Sequence, residues 1–292
     1  MDCFDNCVSL RQIQFYDKVS MKKSLFVLNF LLLSFVCSGA DYKVLFERID
    51  SLYEKKNYKL AEELLLDAIK KDSLNVNLYE NLAITQWLNK KLRDALKSLN
   101  KAHEIIPGST RILLSRAKLK EELNDSLGAL EDLDYAIYRH SYNVRSLYQR
   151  ALYHKFHKNF DKALIDLERI VLINDSHFNA RLQIPLIKKR QGKLYESLAG
   201  YSKLCIDFPG KSVAWNNLAD TEMLLNDFKC AIEHVEKSIS LDPKYSTAFL
   251  TRGEIRLKMK DSIKACKDFQ KAFELCDEDM KEKIGKFLLN CK

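Results

Sequence analysis

The chain has 292 residues, of which 48 are Lys or Arg and 40 are Asp or Glu, so its formal net charge is +8. Charged residues make up 30% of the chain, and both signs are mixed without the block of like charge that is typical of a nucleic-acid-binding tail. With only 8 Gly and 4 Pro, the composition favours an all-α protein.

Residues 21–40 have the three parts of a secretory signal peptide. Two lysines precede an apolar run from Leu25 to Val36, and the small residues Ser38 and Ala40 precede Asp41. As a helix the run would cover roughly 18 Å, whereas a bilayer core is about 30 Å thick. We therefore predict an exported protein that is cut after Ala40. An uncut membrane anchor and a buried helix are the alternatives.

Two further hypotheses concern the same end of the chain. A bacterial lipoprotein would be acylated on Cys37, but Val36 before it is bulky and Ser34 stands where Leu is usual. Residues 1–20 show no clear periodicity, and signal peptides normally start a chain. We therefore expect residues 1–20 to be a gene-model extension, with translation beginning at Met21.

A period of 34 residues runs through the rest of the chain. Seven units fill residues 42–279 without an insertion, and they begin at Tyr42, Val76, Thr110, Val144, Phe178, Ser212 and Ser246. The eighth place of each unit holds Ile49, Ala83, Ala117, Ala151, Pro185, Ala219 and Gly253. The twentieth place holds Ala61, Ala95, Ala129, Ala163, Ser197, Ala231 and Ala265. Large residues dominate the twenty-fourth place: Leu65, Leu99, Leu133, Leu167, Tyr201, Val235 and Phe269.

Each unit contains two apolar-periodic stretches of roughly fourteen residues, which predicts a pair of antiparallel helices. Small residues at the eighth and twentieth places let these two helices approach closely, and the large residue at the twenty-fourth place fills the space beside them. A lone hairpin cannot bury its apolar faces, so the units should stack into a solenoid.

This pattern resembles the tetratricopeptide repeat family, whose motif has Trp, Leu, Gly and Tyr in the first helix, then Ala, Phe, Ala and Pro. Unit six matches it with Trp215, Leu218, Ala219, Ala231 and Pro243. The resemblance implies an all-α, right-handed solenoid with a concave groove lined by the first helix of each repeat. It also implies a C-terminal capping helix. We therefore assign residues 41–279 to seven repeats and residues 280–292 to the cap.

Pro185 departs from the pattern because it occupies the close-packing eighth place inside the first helix of repeat five. A proline there removes a helix hydrogen bond, so we expect the helix to kink or break. The favoured interpretation is a degenerate but folded repeat, and the alternative is a bend or hinge between repeats one to four and repeats six and seven.

Arginine and aspartate occur together at two places of the repeat. The seventh place holds Arg48, Arg116, Arg150 and Arg252, and the twenty-third place holds Asp132, Asp166 and Asp268. We predict the inter-helix ion pairs Arg116–Asp132, Arg150–Asp166 and Arg252–Asp268, with a structural rather than a ligand-binding role. Arg48 has Leu64 at the matching place, so the pattern names no partner for it.

The resemblance also implies which first-helix residues line the groove. The apolar candidates are Tyr53, Trp87, Tyr148, Leu152, Phe156 and Met223, and the basic candidates are Arg111, Lys118, Arg145, Lys155, Lys189 and Arg190. Aromatic and cationic side chains together suit an extended or helical acidic peptide. The alternative is that several of them only pack between neighbouring first helices.

The sequence indicates no active site, no cofactor and no metal centre. It has no Gly-rich phosphate loop and no G-x-S-x-G nucleophile elbow. His154 and His157 are three residues apart, as some metal ligands are, but no Cys or acidic residue beside them completes a ligand set. We therefore predict that the chain is not an enzyme.

Five cysteines follow the signal segment (residues 21–40): Cys205, Cys230, Cys266, Cys276 and Cys291. An exported protein can form disulfides. Cys266 and Cys276 lie roughly 15 Å apart along one helix, which is too far for a bridge. A bond between Cys276 and Cys291 would tie the cap down, but buried unpaired thiols are the favoured interpretation.

Together these features predict a protein–protein interaction adaptor in the bacterial cell envelope or periplasm, which binds a peptide or protein segment in its groove. The expected partner is another protein, with an acidic segment as one option, and nucleic acid is not expected. The membrane is involved only if Cys37 is lipidated or the signal stays uncut. The alternative is an accessory factor of polysaccharide or outer-membrane assembly that contacts glycan or lipid.

Overall fold

The computed structural model describes residues 42–291, and every regular element in this range is a helix. The first helices of the repeats are α1 (42–54), α3 (Val76–Leu88), α5 (Thr110–Glu122), α7 (Val144–Phe156), α9 (Phe178–Arg190), α11 (Ser212–Leu224) and α13 (Ser246–Lys258). The second helices are α2 (Tyr58–Lys71), α4 (Leu92–Ile105), α6 (Ser126–Arg139), α8 (Phe160–Ile173), α10 (Leu194–Asp207), α12 (Phe228–Leu241) and α14 (Ser262–Leu275). A further helix, α15 (Glu278–Leu288), leads into a short 3₁₀ helix (Leu289–Cys291).

Helices of the same kind begin 34 residues apart from one repeat to the next. The period of the sequence is therefore the period of the structure, and first helices start where the units were predicted to start. The all-α repeat fold predicted from the sequence is confirmed.

The same tight turn joins the two helices of every repeat. The fifteenth residue has a positive φ in each repeat: Lys56, Lys90, Asn124, Lys158, Gly192, Asn226 and Lys260. The N–H of the next residue donates to the carbonyl five residues earlier, as Asn159 does to His154 at 2.8 Å. This bond closes the first helix in the manner of a Schellman motif. Since lysine rarely adopts this backbone region by itself, helix packing imposes the turn.

The described chain divides into two compact units on either side of the Ile106–Pro107 bond. The first unit holds α1 to α4 around a core that includes Ile49, Leu65 and Leu78. The second unit holds α5 to α15, and each of these helices packs against the next one in the chain. Each unit is thus a stack of helical hairpins.

The close approach of the paired helices follows the small residues that mark the repeat. The residue at the twentieth place has no exposed surface in any repeat: Ala61, Ala95, Ala129, Ala163, Ser197, Ala231 and Ala265. A Cβ atom on Gly253, at the eighth place of repeat seven, would stand 2.5 Å from a ring carbon of Phe269. Glycine is therefore required there because the Phe269 ring occupies the space.

Pro185 lies inside α9, and this helix continues unbroken from Phe178 to Arg190. The helix is therefore not broken at Pro185, and the interpretation of a degenerate but folded repeat agrees with the structure. The proline is buried against α10, where a Cβ atom on Gly200 would stand 2.9 Å from the Pro185 Cβ atom. Glycine at the twenty-third place leaves room for the ring, so packing across the hairpin compensates for the lost hydrogen bond.

Helix α15 covers the apolar end of the last repeat. Ile284 is fully buried, and the Phe287 ring stacks on Phe269 with 4.8 Å between the ring centroids. A disulfide joins Cys266 of α14 to Cys291, with 5.6 Å between the two Cα atoms.

This disulfide corrects the interpretation of unpaired thiols for Cys266 and Cys291, and it also corrects the alternative in which Cys276 would pair with Cys291. Because α15 starts at the end of α14 and runs back along it, the last residues return to the first turns of α14. Cys291 therefore meets Cys266 rather than Cys276, which lies at the end of α14. Cys205 is a buried free thiol, and burial raises its pKa to about 12, so the thiol stays protonated.

The signal segment (residues 21–40), Cys37 and the proposed extension (residues 1–20) lie outside the described residues, so those predictions stay predictions. Between residues 42 and 291, none of the helices combines the length and the apolar character that crossing a bilayer requires.

We expect the change Gly253→Ala to lower the free energy of unfolding by about 1–3 kcal/mol, because the new methyl group overlaps the Phe269 ring. The matched control is Gly285→Ala in α15, where nothing lies within 4 Å of the new Cβ atom and helix propensity improves. Urea denaturation measures both variants. Equal stability of the two would contradict the packing argument.

Candidate functional site

Within each unit, first helices of neighbouring repeats contact one another, and the predicted groove residues of that unit lie on or beside these contacts. We call the surface they share the first-helix face. In the first unit the Tyr53 hydroxyl lies 2.7 Å from the Thr85 hydroxyl and donates to the Asn81 carbonyl at 3.2 Å. Burial raises the pKa of Tyr53. Tyr53 therefore joins α1 to α3, and Trp87 is half-buried on α3.

In the second unit the aromatic candidates differ in exposure. The Tyr148 ring is half-buried and lies 5.7 Å from the His177 ring. Leu152 and Met223 are half-buried too, and Met223 packs against the core of repeat six. Phe156, at the end of α7, is 76% exposed. Among these candidates of the second unit, Phe156 is the side chain most accessible to a partner.

The basic candidates of the second unit also separate into two groups. Arg111, Lys118, Arg145 and Arg190 are exposed. Lys155 is half-buried and donates to the Gln183 amide oxygen at 2.8 Å, which links α7 to α9. Burial and, to a lesser extent, the charge of Arg190 lower the pKa of Lys155. Lys189 forms an ion pair with Asp220 between α9 and α11, so its charge is compensated within the chain.

The structure places each arginine of the three predicted ion pairs against its aspartate. Arg116 Nη2 is 2.6 Å from Asp132 Oδ1, Arg150 Nη2 is 2.7 Å from Asp166 Oδ1, and Arg252 Nη2 is 2.8 Å from Asp268 Oδ1. All three aspartates are buried. Arg48 is exposed, so it needs no buried counter-charge.

The ion pairs between the seventh and twenty-third places extend to a third place of the repeat, the eleventh, which sequence reasoning missed. We call the three places together the buried polar network. In repeat three Lys120 lies 2.8 Å from Asp132, and in repeat seven Arg256 lies 2.6 Å from Asp268. Repeat two has Gln86 bonded to Ser98 at 2.7 Å. Repeat six has the carboxylate of Glu222 at the eleventh place, 2.8 Å from His234 at the twenty-third.

The signal for the eleventh place was present in the repeat alignment. From repeat two onward this place holds Gln86, Lys120, His154, Lys188, Glu222 and Arg256, all of them polar. In repeats two, three, six and seven its character follows the twenty-third place: cationic in repeats three and seven where that place is Asp, acidic in repeat six where it is His, and neutral in repeat two where it is Ser. Repeat five departs from this rule, since Lys188 stands opposite Gly200 and pairs with Glu196 instead. In those four repeats the seventh, eleventh and twenty-third places therefore change together as one buried polar network.

In repeat four this network borders a cavity of about 270 Å³, which is lined by Leu130, Asp134, Arg150, His154, Lys162, Ile165 and Asp166. His154 is 5% exposed, and its Nδ1 atom has no hydrogen-bond partner. Burial is the chief cause that lowers the pKa of His154. Of the charged groups around it, Arg150 and Lys162 lower the pKa further, whereas Asp166 and Asp134 oppose this effect.

The two histidines that the sequence singled out have different surroundings. His154 lies in the network of repeat four, whereas the His157 ring packs on Tyr153 and its Nε2 atom lies 3.1 Å from Glu121. Within residues 42–291, no cluster of three or more His, Cys, Asp or Glu side chains is arranged to hold a metal ion.

We expect Asp166→Ala to lower the free energy of unfolding by roughly 3–5 kcal/mol, because it leaves the Arg150 charge without its buried partner. The control is Glu274→Ala, which breaks an exposed pair with Lys271 and should cost less than about 1 kcal/mol. An unchanged melting temperature for Asp166→Ala would refute a stabilising role for the pair.

We also expect His154 to make the fold sensitive to acid. Its pKa is lower in the folded than in the unfolded state, so the unfolded state binds more protons once the pH falls through the unfolded-state value of about 6.5, and stability is lost as the pH falls further towards the folded-state pKa. His154→Gln should reduce the loss, and His140→Gln, at an exposed position, should not. Melting temperatures against pH measure this, and parallel curves for wild type and His154→Gln would contradict it.

Comparison with known proteins agrees with the repeat architecture. The family model of the tetratricopeptide repeat matches residues 212–245. The chain is similar to a tetratricopeptide repeat protein of known crystal structure from Parabacteroides merdae, with 27% identity and a TM-score of 0.67 over 86% of this chain and 98% of that one. The C-terminal part of a repeat protein from Cytophaga hutchinsonii shares the fold, with 16% identity and a TM-score of 0.61 over 83% of this chain and 99% of that chain.

Curated relatives match over shorter regions. Human sperm-associated antigen 1 is 32% identical over 96 residues, which are 33% of this chain and 10% of that protein. The small glutamine-rich tetratricopeptide repeat-containing protein 2 of Saccharomyces cerevisiae is 28% identical over 131 residues, which are 42% of this chain and 35% of that protein. The chain thus spans well under half the length of these relatives. With its repeated helical hairpins and these matches, the chain is a tetratricopeptide repeat protein.

Proposed function

We propose that this chain is an adaptor that binds an acidic peptide or protein segment on the first-helix face of repeats three to five. Tetratricopeptide repeat proteins generally act as protein-interaction scaffolds. The observation that carries the proposal is the set of exposed side chains on one face: Phe156 at the end of α7 and the cations Arg111, Lys118, Arg145 and Arg190.

The chemistry of this face suits a peptide rather than a small molecule. An exposed aromatic ring offers an apolar anchor, and guanidinium groups pair with carboxylates in two-point contacts. The half-buried Tyr148 and Lys155 are held by neighbouring helices, so they form a preorganised floor beneath the exposed groups. An acidic segment would therefore meet a rigid surface of opposite charge.

The proposal excludes catalysis by this chain. The buried carboxylates Asp132, Asp166 and Asp268 of the second unit belong to the network of the seventh, eleventh and twenty-third places, where each faces an arginine. Groups held in this way stabilise helix pairs. A non-catalytic scaffold is also the typical role of this fold.

The proposed place of action is the bacterial cell envelope or periplasm. The support is the composition of residues 21–40, in which two lysines precede a short apolar run and small residues precede the proposed cleavage site. Acylation of Cys37 would instead hold the adaptor on a membrane. In either case the first-helix face would meet other envelope proteins.

In-cell crosslinking followed by mass spectrometry of the envelope fraction tests this proposal. The test variant is Arg145→Glu with Arg190→Glu, and we expect it to lose the crosslinked partners of the wild type, because the face would repel carboxylates. The matched control is Lys229→Glu with Lys237→Glu, which makes the same change of charge at exposed positions on α12.

Loss of partners from the first variant alone supports binding at the first-helix face. Equal retention or equal loss in both variants would contradict it, because the face would then not select partners. Crosslinks to glycan or lipid, without protein partners, would favour the alternative role in envelope assembly.

A further inference from the structure

Three second helices of the second unit carry a large apolar side chain on their outer surface at the same register. The thirteenth residue of α6, α8 and α10 is Tyr138, Leu172 and Ile206, and these side chains are 82%, 87% and 77% exposed. We call them the outer row. In the other repeats the same place holds Lys70, Glu104, Ser240 and Glu274, so the apolar row is confined to repeats three to five.

Further apolar side chains on the same three repeats extend the row. Leu127, Tyr142, Ile165 and Tyr195 are 78%, 74%, 63% and 77% exposed. Arg169 of α8 lies over the Tyr142 ring at 5.6 Å, which joins α8 to the turn that follows α6. With on the order of 150 Å² from each side chain, the seven offer roughly 1,000 Å² of surface. A standard interface needs about 800 Å² from each partner.

We propose that the outer row is the interface of a homodimer. A second copy carries the same apolar row with the same area, so each copy can bury its row against the row of the other. The charges beside the centre of the row are self-complementary as well. Glu168 and Arg169 both lie on α8 one turn before Leu172, so each can face the opposite charge of the other copy across a two-fold axis.

The symmetry of such a dimer makes a specific geometric claim. Two surfaces that pack face to face are related by a two-fold axis within the interface plane. Leu172 is the middle member of the outer row, so an axis through the centre of the row places Leu172 against Leu172 of the other copy. With the axis along the helices, Glu168 of one copy also faces Arg169 of the other. The interface uses second helices, so it leaves the first-helix face accessible.

Sedimentation equilibrium of the full-length chain tests the proposal. We expect the wild type to be in monomer–dimer equilibrium at micromolar concentration, and Leu172→Glu to raise the Kd of the dimer roughly 100-fold or more, because two carboxylates would meet in an apolar contact. Ser240→Glu, at the same register on α12, is the matched control and should leave the Kd unchanged. Circular dichroism checks that both variants keep their helices.

Cysteine crosslinking tests the geometry. Under mild oxidation Leu172→Cys should give a covalent dimer, whereas Ser240→Cys and the wild type should not. A wild type that stays monomeric, an unchanged Kd for Leu172→Glu, or no dimer from Leu172→Cys would each overturn the proposal.

Discussion

The distance between the two helices of a repeat is set by the small residues at the eighth and twentieth places, and the other contacts of the repeat depend on it. At this distance a side chain at the seventh place reaches the twenty-third place across the hairpin, as Arg150 reaches Asp166. The same closeness forces the fifteenth residue into a positive φ, even where it is lysine. Where the eighth place holds Pro185, the second helix adapts by carrying Gly200 opposite it.

A buried polar network occupies the space that this close packing leaves beside the apolar core. Its three places change as a set in repeats two, three, six and seven, for example from Arg, Lys and Asp in repeat three to Leu, Glu and His in repeat six. Such concerted change is expected when each buried charge needs a counter-charge, since a single unmatched substitution would leave a charge uncompensated. In repeat four His154 keeps one nitrogen without a partner, beside a cavity. The network stabilises individual hairpins. Its residues are different from those of the surfaces proposed for binding.

The two helix types of the second unit present two surfaces with different chemistry. First helices expose cations and Phe156, which suit an acidic partner, whereas α6, α8 and α10 expose an uncharged outer row. Repeats three to five carry both surfaces. If both proposals hold, a dimer would present two copies of the first-helix face, and two linked sites bind a repeated or paired partner with higher avidity than one.

The sequence by itself determined the all-α class, the period of 34 residues, the start of each first helix and the pairing of Arg116, Arg150 and Arg252 with their aspartates. These features repeat at fixed spacing, and a helical hairpin brings fixed spacings together in space. It did not determine that α9 continues through Pro185, that Cys291 meets Cys266, or which groove candidates are free to bind. Those outcomes depend on how neighbouring helices pack: among the groove candidates, Tyr53, Lys155 and Lys189 contact adjacent first helices, while Phe156 is left exposed. Periodicity specifies which side of a helix a residue occupies, but only tertiary packing decides whether another helix covers that side.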